Sequence, residues 1–266
     1  MADLPTSYDP RRFRTAVPYY ARYRLSYPEG LIARVAELTG LAAGARVLDL
    51  GCGPGLLAIA FAARGMAVTA IDPEPEMLEA ARAAAAEAGV TMDIRQGSSF
   101  DLPAQMGPFR LVTMGRSFHW MDRVKTAETL DGMVEEGGAL ALFGEDHPNT
   151  AENRWHDLLN DVGARYGAED AFHRKARKAP DFRSHESILL DSPFGVLERV
   201  GVILRREITA DEIVGLAFSR SITAPQALGE RTTAFEAELR AELAALSPDG
   251  RFVEIAELEA LIARRA

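Results

Sequence analysis

VLDLGCGPGLLAIA, residues 47–60, places an apolar run, three glycines at alternate positions and a second apolar run end to end. The first run is short and closed by Gly51, which reads as a buried strand; the second has helical character. Gly51, Gly53 and Gly55 therefore occupy a strand-to-helix turn, where lack of a Cβ lets a backbone approach a ligand and the helix start offers N–H donors. A dinucleotide loop requires G-x-G-x-x-G, but Leu56 stands where the third glycine would fall, and no phosphate-binding lysine follows. The spacing favours a ligand without phosphates. A tight turn with no ligand is the simpler alternative, and Asp49 and Asp72 weigh against it, because both fall at strand ends facing one crevice.

Outward from this turn, strands and helices alternate. PEGLIARVAELTGLAAG reads as a helix stopped by Gly40 and Gly44, ARVLDL as the first strand and LLAIAFAARG as a helix. MAVTAID, TMDIRQG, FRLVTMG and GALALFG repeat the strand signal, with PEPEMLEAARAAAAEAG and DRVKTAETLDGMVEEGG as helices between them. This order predicts a doubly wound α/β core with a parallel sheet and right-handed crossovers over residues 45–145. Beyond it, residues 150–169 form an amphipathic pattern with Trp155, Leu158, Leu159, Val162 and Tyr166 on one face. VLERVGVILRREIT and VEIAELEALIARR read as two last strands, with ADEIVGLAFSRS and TTAFEAELRAELAAL as helices between them. The expected architecture is one Rossmann-like domain over 1–266 with a mostly parallel seven-stranded sheet. It would carry an N-terminal lid at 1–28 and a cap of helices with the last strands at 146–266.

Composition narrows the class. The chain has 266 residues, 47% of them hydrophobic, enough to bury a sizeable core. A net charge of −9 argues against phosphate backbones and anionic lipid as partners, so neither nucleic acid nor a membrane is expected. The lone Cys52 allows no internal disulfide, no apolar run reaches a membrane span and the opening residues lack a signal-peptide core; a cytoplasmic protein, monomer or homodimer, is the expectation. Five scattered histidines and one cysteine show no metal-ligand spacing, so no metal is expected.

VLDLGCGPG resembles the first motif of the class I S-adenosylmethionine-dependent methyltransferases, in the small-molecule branch with a methyltransferase-11-like core. The resemblance implies that Asp49, Gly51, Cys52 and Gly53 hold the methionine end of S-adenosylmethionine, and that Asp72 takes the ribose hydroxyls. Pro73 and Met77 would pack near the adenine. A carboxylate suits a diol because it accepts two hydrogen bonds at once. QGSSFDLP resembles the adenine-binding segment and implies Ser98, Ser99 and Phe100; relatives often have an acidic residue where this chain has Ser98. VPYYARYRLSYP resembles the element that closes over the cofactor, with Tyr20 and Arg24 as contacts to the methionine carboxylate.

FRLVTMGRSFHWMDR resembles the fourth motif, and SFHWMD the variant in enzymes related to the trans-aconitate methyltransferase group. Gly115 and Arg116 would approach the methionine portion, and Trp120 the acceptor. His119 is the candidate general base, since imidazole takes a proton near neutral pH; a loop-capping role is the alternative. Glu145 and His147, after the fifth strand, would line the acceptor pocket, and the basic run 173–178 would attract an anionic acceptor or serve as a solvated face. The expected activity is methyl transfer to an oxygen, nitrogen or carbon of a small molecule. A nicotinamide-dependent oxidoreductase and a non-catalytic S-adenosylmethionine-binding protein remain as alternatives.

Overall fold

The structure is a computed structural model, which describes residues 13–166 and 182–266. Strand β1 (Arg46–Leu50) is buried from its second residue onward. Val47 packs with Leu31, Ile32, Val35 and Phe61 on one face, while Leu48 and Leu50 join Val112, Met114 and Leu130 on the other. A strand covered by helices on both faces must be apolar on both, which is why the run reads as continuous instead of alternating. Asp49 interrupts it on the face of Val47.

The core continues through α3 (Leu56–Ala63), β2 (Ala67–Asp72), α4 (Pro75–Glu87), β3 (Asp93–Gln96), β4 (Phe109–Gly115), α5 (Arg123–Asp131) and β5 (Val134–Asp146). Sheet order is β3-β2-β1-β4-β5-β7-β6, with β7 (Arg251–Arg264) and β6 (Val196–Thr209) antiparallel to their neighbours. The chain winds outward from β1 to β3 and then returns to lay β4 on the other side of β1. Their carboxyl ends thus flank the point where winding reverses, and a crevice opens there.

Two short helices precede the core, α1 (Val17–Tyr23) and α2 (Glu29–Leu38). After β5 come α6 (Arg154–Tyr166) and α7 (His185–Leu190). Between β6 and β7 the chain makes a helical excursion through α8 (Ala210–Phe218), α9 (Pro225–Leu228) and α10 (Thr232–Leu246). Trp155, Leu159 and Val162 of α6 pack with Leu216 and Phe218 of α8 and Phe235, Leu239 and Leu243 of α10 to make a third apolar cluster. Thr209 and Glu212 close α8 with a reciprocal capping box.

Several boundaries differ from expectation. The helix expected across DRVKTAETLDGMVEEGG stops at Asp131, because Phe109 N–H bonds to Met133 O and draws Val134 into the sheet. β5 is correspondingly longer than GALALFG at both ends and includes Glu145 and Asp146, which pair with Leu258 and Glu257 of β7. The segment 146–266 supplies two strands to the common sheet, as the seven-stranded expectation has it. α7 and α9 span only 6 and 4 residues, too short to show an apolar period. Residues 1–12 of the expected lid and the basic run 173–178 lie outside the described residues. No helix among the described residues is long and apolar enough to cross a membrane.

Asn153, buried at the start of α6, joins that helix to β7 of the sheet. Its amide donates to Pro148 O and Ile255 O, both at 2.8 Å, and its Oδ1 accepts from Ile255 N–H at 2.9 Å. Asn153→Ala leaves these groups without partners and is expected to destabilise the fold by about 1–3 kcal/mol in chemical denaturation.

Candidate active site

Gly51 and Gly53 adopt φ of +70° and +53°, the left-handed region that only glycine enters without strain. A Cβ on Gly51 would stand 2.6 Å from Ser117 Cβ, so this position is closed to other residues twice over. Ser117 in turn donates to Leu50 O at 2.8 Å and ties the segment after β4 to the end of β1.

Two buried carboxylates brace the turn. Asp49 Oδ1 accepts from Thr113 Oγ1 at 2.8 Å, and its Oδ2 from Ala58 N–H at 3.1 Å, inside the first turns of α3. Asp72 Oδ2 accepts from Gly53 N–H at 2.8 Å, and its Oδ1 from Glu74 N–H at 2.9 Å. Burial pushes the Asp49 carboxyl up to about 7 against the lowering effect of its hydrogen bonds, and Asp72 adds a further upward push. Asp72 is itself raised by burial, with its two backbone donors working against that rise. Burial together with both aspartates drives the Cys52 thiol well above its ordinary value, so it is a protonated, inert filler of the turn.

Over these groups lies a cleft open at its mouth. Of the residues expected from the sequence it brings together Tyr20, Gly51, Gly53, Asp72, Pro73, Met77, Ser98, Ser99, Phe100, Gly115, Arg116 and Trp120. Asp49 and Cys52 line a smaller recess behind the glycine turn, which Tyr20, Gly115 and Arg116 share. Ser98 stands where relatives often have an acid, and its N–H and hydroxyl both donate to Asp101 Oδ1 at 2.7 Å. Asp101 thus shapes that loop, and Phe100 projects with 64% of its surface exposed.

Other expected residues stand apart from the cleft walls. Arg24 lies over the Tyr20 ring, 5.2 Å from its centroid. His119 does not line the cleft, and its ring lies 4.9 Å from that of Trp120. Glu145 is buried and paired with Arg116, while His147 Nε2 contacts Glu254 Oε1 at 2.8 Å and its ring stacks on His156 at 4.3 Å. Burial, Arg220 and His147 hold the His156 imidazole down at about 3. Sequence reasoning missed Phe13, Glu74, Ser117 and Met121, all of which line the cleft. Glu74 reads in sequence as a charge favouring a helix start, yet it is buried, and both its carboxylate oxygens accept from Phe13 N–H at 3.1 Å. Phe13 then meets Trp120 edge to face at 5.5 Å.

Residues 47–138, which supply most of this cleft, match a methyltransferase domain family. Over these residues the chain carries the domain of the class I S-adenosylmethionine-dependent methyltransferases. An uncharacterized methyltransferase of Mycobacterium tuberculosis is 29% identical over 224 residues, covering 83% of this chain and 82% of its own. A ubiquinone biosynthesis O-methyltransferase of Xanthomonas axonopodis pv. citri is 44% identical over 102 residues, or 38% of this chain and 43% of that one. A solved structure from Anaeromyxobacter dehalogenans shares the fold with a TM-score of 0.62 and 20% identity, over 91% of this chain and 98% of that one. In this methyltransferase the glycine turn lies within the matched domain, and the helical excursion between β6 and β7 lies outside it.

Because the folded pKa of Asp49 lies above its unfolded value, the folded state holds this proton more tightly. The resulting stabilisation is full below about pH 4 and lost as pH rises through about 7. Asp49→Asn removes this contribution, so the melting temperature of the ligand-free variant is expected to fall less steeply than that of wild type between pH 5 and 8. Parallel slopes would show that Asp49 carries no such linkage.

Proposed function

We propose that this enzyme transfers the methyl group of S-adenosylmethionine to an oxygen, nitrogen or carbon of a small-molecule acceptor. The observation that carries the reading is the convergence of the glycine turn, Asp72, the 98–100 segment and Trp120 on one cleft. The residues present fit the cofactor. Asp72 sits at the mouth with its charge held by two backbone N–H groups, and each oxygen keeps a lone pair for a ribose hydroxyl. Met77 and Pro73 offer an apolar wall for the adenine beside Phe100, and Gly51 and Gly115 leave room for the methionine chain. The buried Arg24 Nε has no hydrogen-bond partner, and a carboxylate near Tyr20 would satisfy it.

When bound, the sulfonium supplies an electrophilic methyl that needs little activation. The protein's task is then to hold the acceptor in line and exclude water. Phe13, Trp120 and Phe100 wall the cleft with aromatic surface suited to enclosing a small acceptor. The charge of −9 supports a small molecule over a nucleic acid. In this reading the segment around Phe13 and Tyr20 is the lid, Trp120 meets the acceptor and His119 assists proton removal from beside it. Glu145 and His147 act from behind, by holding Arg116 and the end of β5. The same reading places the enzyme in the cytoplasm as a monomer or homodimer.

Calorimetric titration with S-adenosylhomocysteine tests the cofactor assignment: wild type is expected to bind and Asp72→Asn to bind about tenfold more weakly or worse. Folded, ligand-free wild type that does not bind would overturn it. His119→Ala is expected to lower kcat while S-adenosylhomocysteine affinity stays within about twofold. An unchanged kcat at saturating acceptor would remove His119 from the mechanism.

A further inference from the structure

Three arginines meet where the carboxyl ends of β4 and β5 face α1 and α8. Arg24 follows the last residue of α1, Arg220 lies two residues beyond α8, and Arg116 lies just past β4. The two helices are in intimate contact, because Gly215 of α8 receives the Tyr23 ring: a Cβ there would fall 2.3 Å from Tyr23 Cδ2. The guanidiniums of Arg24 and Arg116 both lie over the Tyr20 ring, at 5.2 and 5.7 Å from its centroid.

A chain of contacts closes the circle on the far side. Arg220 Nη1 donates to Asn160 Oδ1 at 2.7 Å, Asn160 Nδ2 meets His156 Nδ1 at 3.4 Å, and His156 stacks on His147. His147 Nε2 stands 3.9 Å from Glu145 Oε1, and Glu145 pairs with Arg116.

The charges in this cluster do not balance. Glu145 is spent on Arg116, which also donates to Tyr27 Oη at 3.1 Å and Leu25 O at 2.9 Å. Glu254 pairs with Arg206 and His147. Among the described residues Arg24 and Arg220 have no carboxylate partner, and the only polar partner shown for Arg220 is a neutral amide. Burial and the neighbouring Arg24 bring the Arg220 guanidinium down to about 10, with Glu145 opposing them. Burial lowers Arg24 as well, with Tyr20 and Glu145 opposing it and Arg116 adding to it.

Placing arginine near a helix C-terminus is favourable, and that would explain either residue alone. It does not explain two half-buried guanidiniums without a carboxylate partner beside a third, an arrangement that favours a ligand bringing the counter-charge. The cofactor reading above supplies one carboxylate, for Arg24 and Tyr20. One guanidinium is left over.

We propose that Arg220, held in place by Asn160, is a specificity residue of the acceptor site and that the methyl acceptor carries a carboxylate which Arg220 binds. The proposal rests on the cofactor reading, and its test separates the two. Wild type and Arg220→Gln are first titrated with S-adenosylhomocysteine and with 5′-methylthioadenosine, which lacks the carboxylate. Each protein saturated with S-adenosylhomocysteine is then titrated with succinate and benzoate, with succinamide and benzamide as neutral controls.

Arg220→Gln is expected to keep its affinity for both nucleosides within about twofold, while carboxylate binding weakens about tenfold or more and the amides bind neither protein. Arg220→Lys, which keeps the charge but not the planar fork, is expected to fall between. Asn160→Ala leaves Arg220 itself intact and is expected to weaken carboxylate binding in the same direction, which covers the case of a poorly folded Arg220→Gln. If Arg220→Gln instead loses S-adenosylhomocysteine but not 5′-methylthioadenosine, Arg220 serves the cofactor and the proposal fails. It fails equally if carboxylates bind wild type and variant alike, or bind neither. Absence of S-adenosylhomocysteine binding to wild type would instead strike the cofactor reading on which it rests.

Discussion

The cleft depends on one buried carboxylate shared between two turns. Asp72 ends β2, and its two oxygens accept from Gly53 in the turn after β1 and from Glu74 at the start of α4. Gly53 lies beyond the end of β1, so its N–H needs a partner outside the ladder, and the end of the neighbouring strand supplies it. The connection then runs further. Glu74, fixed by that bond, holds Phe13, and Phe13 meets Trp120 across the cleft. Floor, wall and roof are thus linked through consecutive acceptors on a single loop.

This dependence explains the pairing of residue types around the turn. Asp49 braces the same loop from beneath, by binding the third residue of α3 and the middle of β4. Ser117 occupies the space that any side chain at position 51 would need. Gly51 is therefore required twice over, by its dihedral angle and by Ser117, and Gly53 by its dihedral angle.

The core was legible in the sequence because its signals are local. A strand buried on both faces is a continuous apolar run, a glycine cluster marks its end, and both can be read without knowing what lies nearby. Twelve of the residues expected at the site converge on the main cleft, and apart from Tyr20 of α1 they lie at the end of a strand or in the segment that follows it. What sequence could not reveal is set by distant contacts. Glu74 resembles any acidic residue at a helix start until Phe13, 61 positions away, is seen to donate to it. Glu145 and His147 carry functional groups in a plausible place, and only the fold shows them occupied by Arg116 and Glu254. Arg220 lies in AFSRS, at the end of a helix, with nothing local to mark it. The early end of α5 has a similar origin, because the bond from Phe109 outweighs the helical preference of the residues after Asp131.

Burial acts in opposite directions at the two ends of the site, and this gives the cleft an electrical polarity. Beneath β1 and β2 it raises Asp49 and Asp72, so that negative charge there is held under tension and relieved by hydrogen-bond donors. Beyond β4 and β5 it lowers Arg24 and Arg220, so that positive charge there is relieved by acceptors. A ligand with hydroxyl donors at one end and a carboxylate at the other meets the demands of Asp72 and Arg24, and leaves Arg220 for a second carboxylate. The net charge of −9 hides this arrangement, because it averages a surface rich in acids with an interior edge rich in arginine. Recognition at this site is governed by the charges that the fold has withdrawn from water, since those are the ones that solvent and salt screen least.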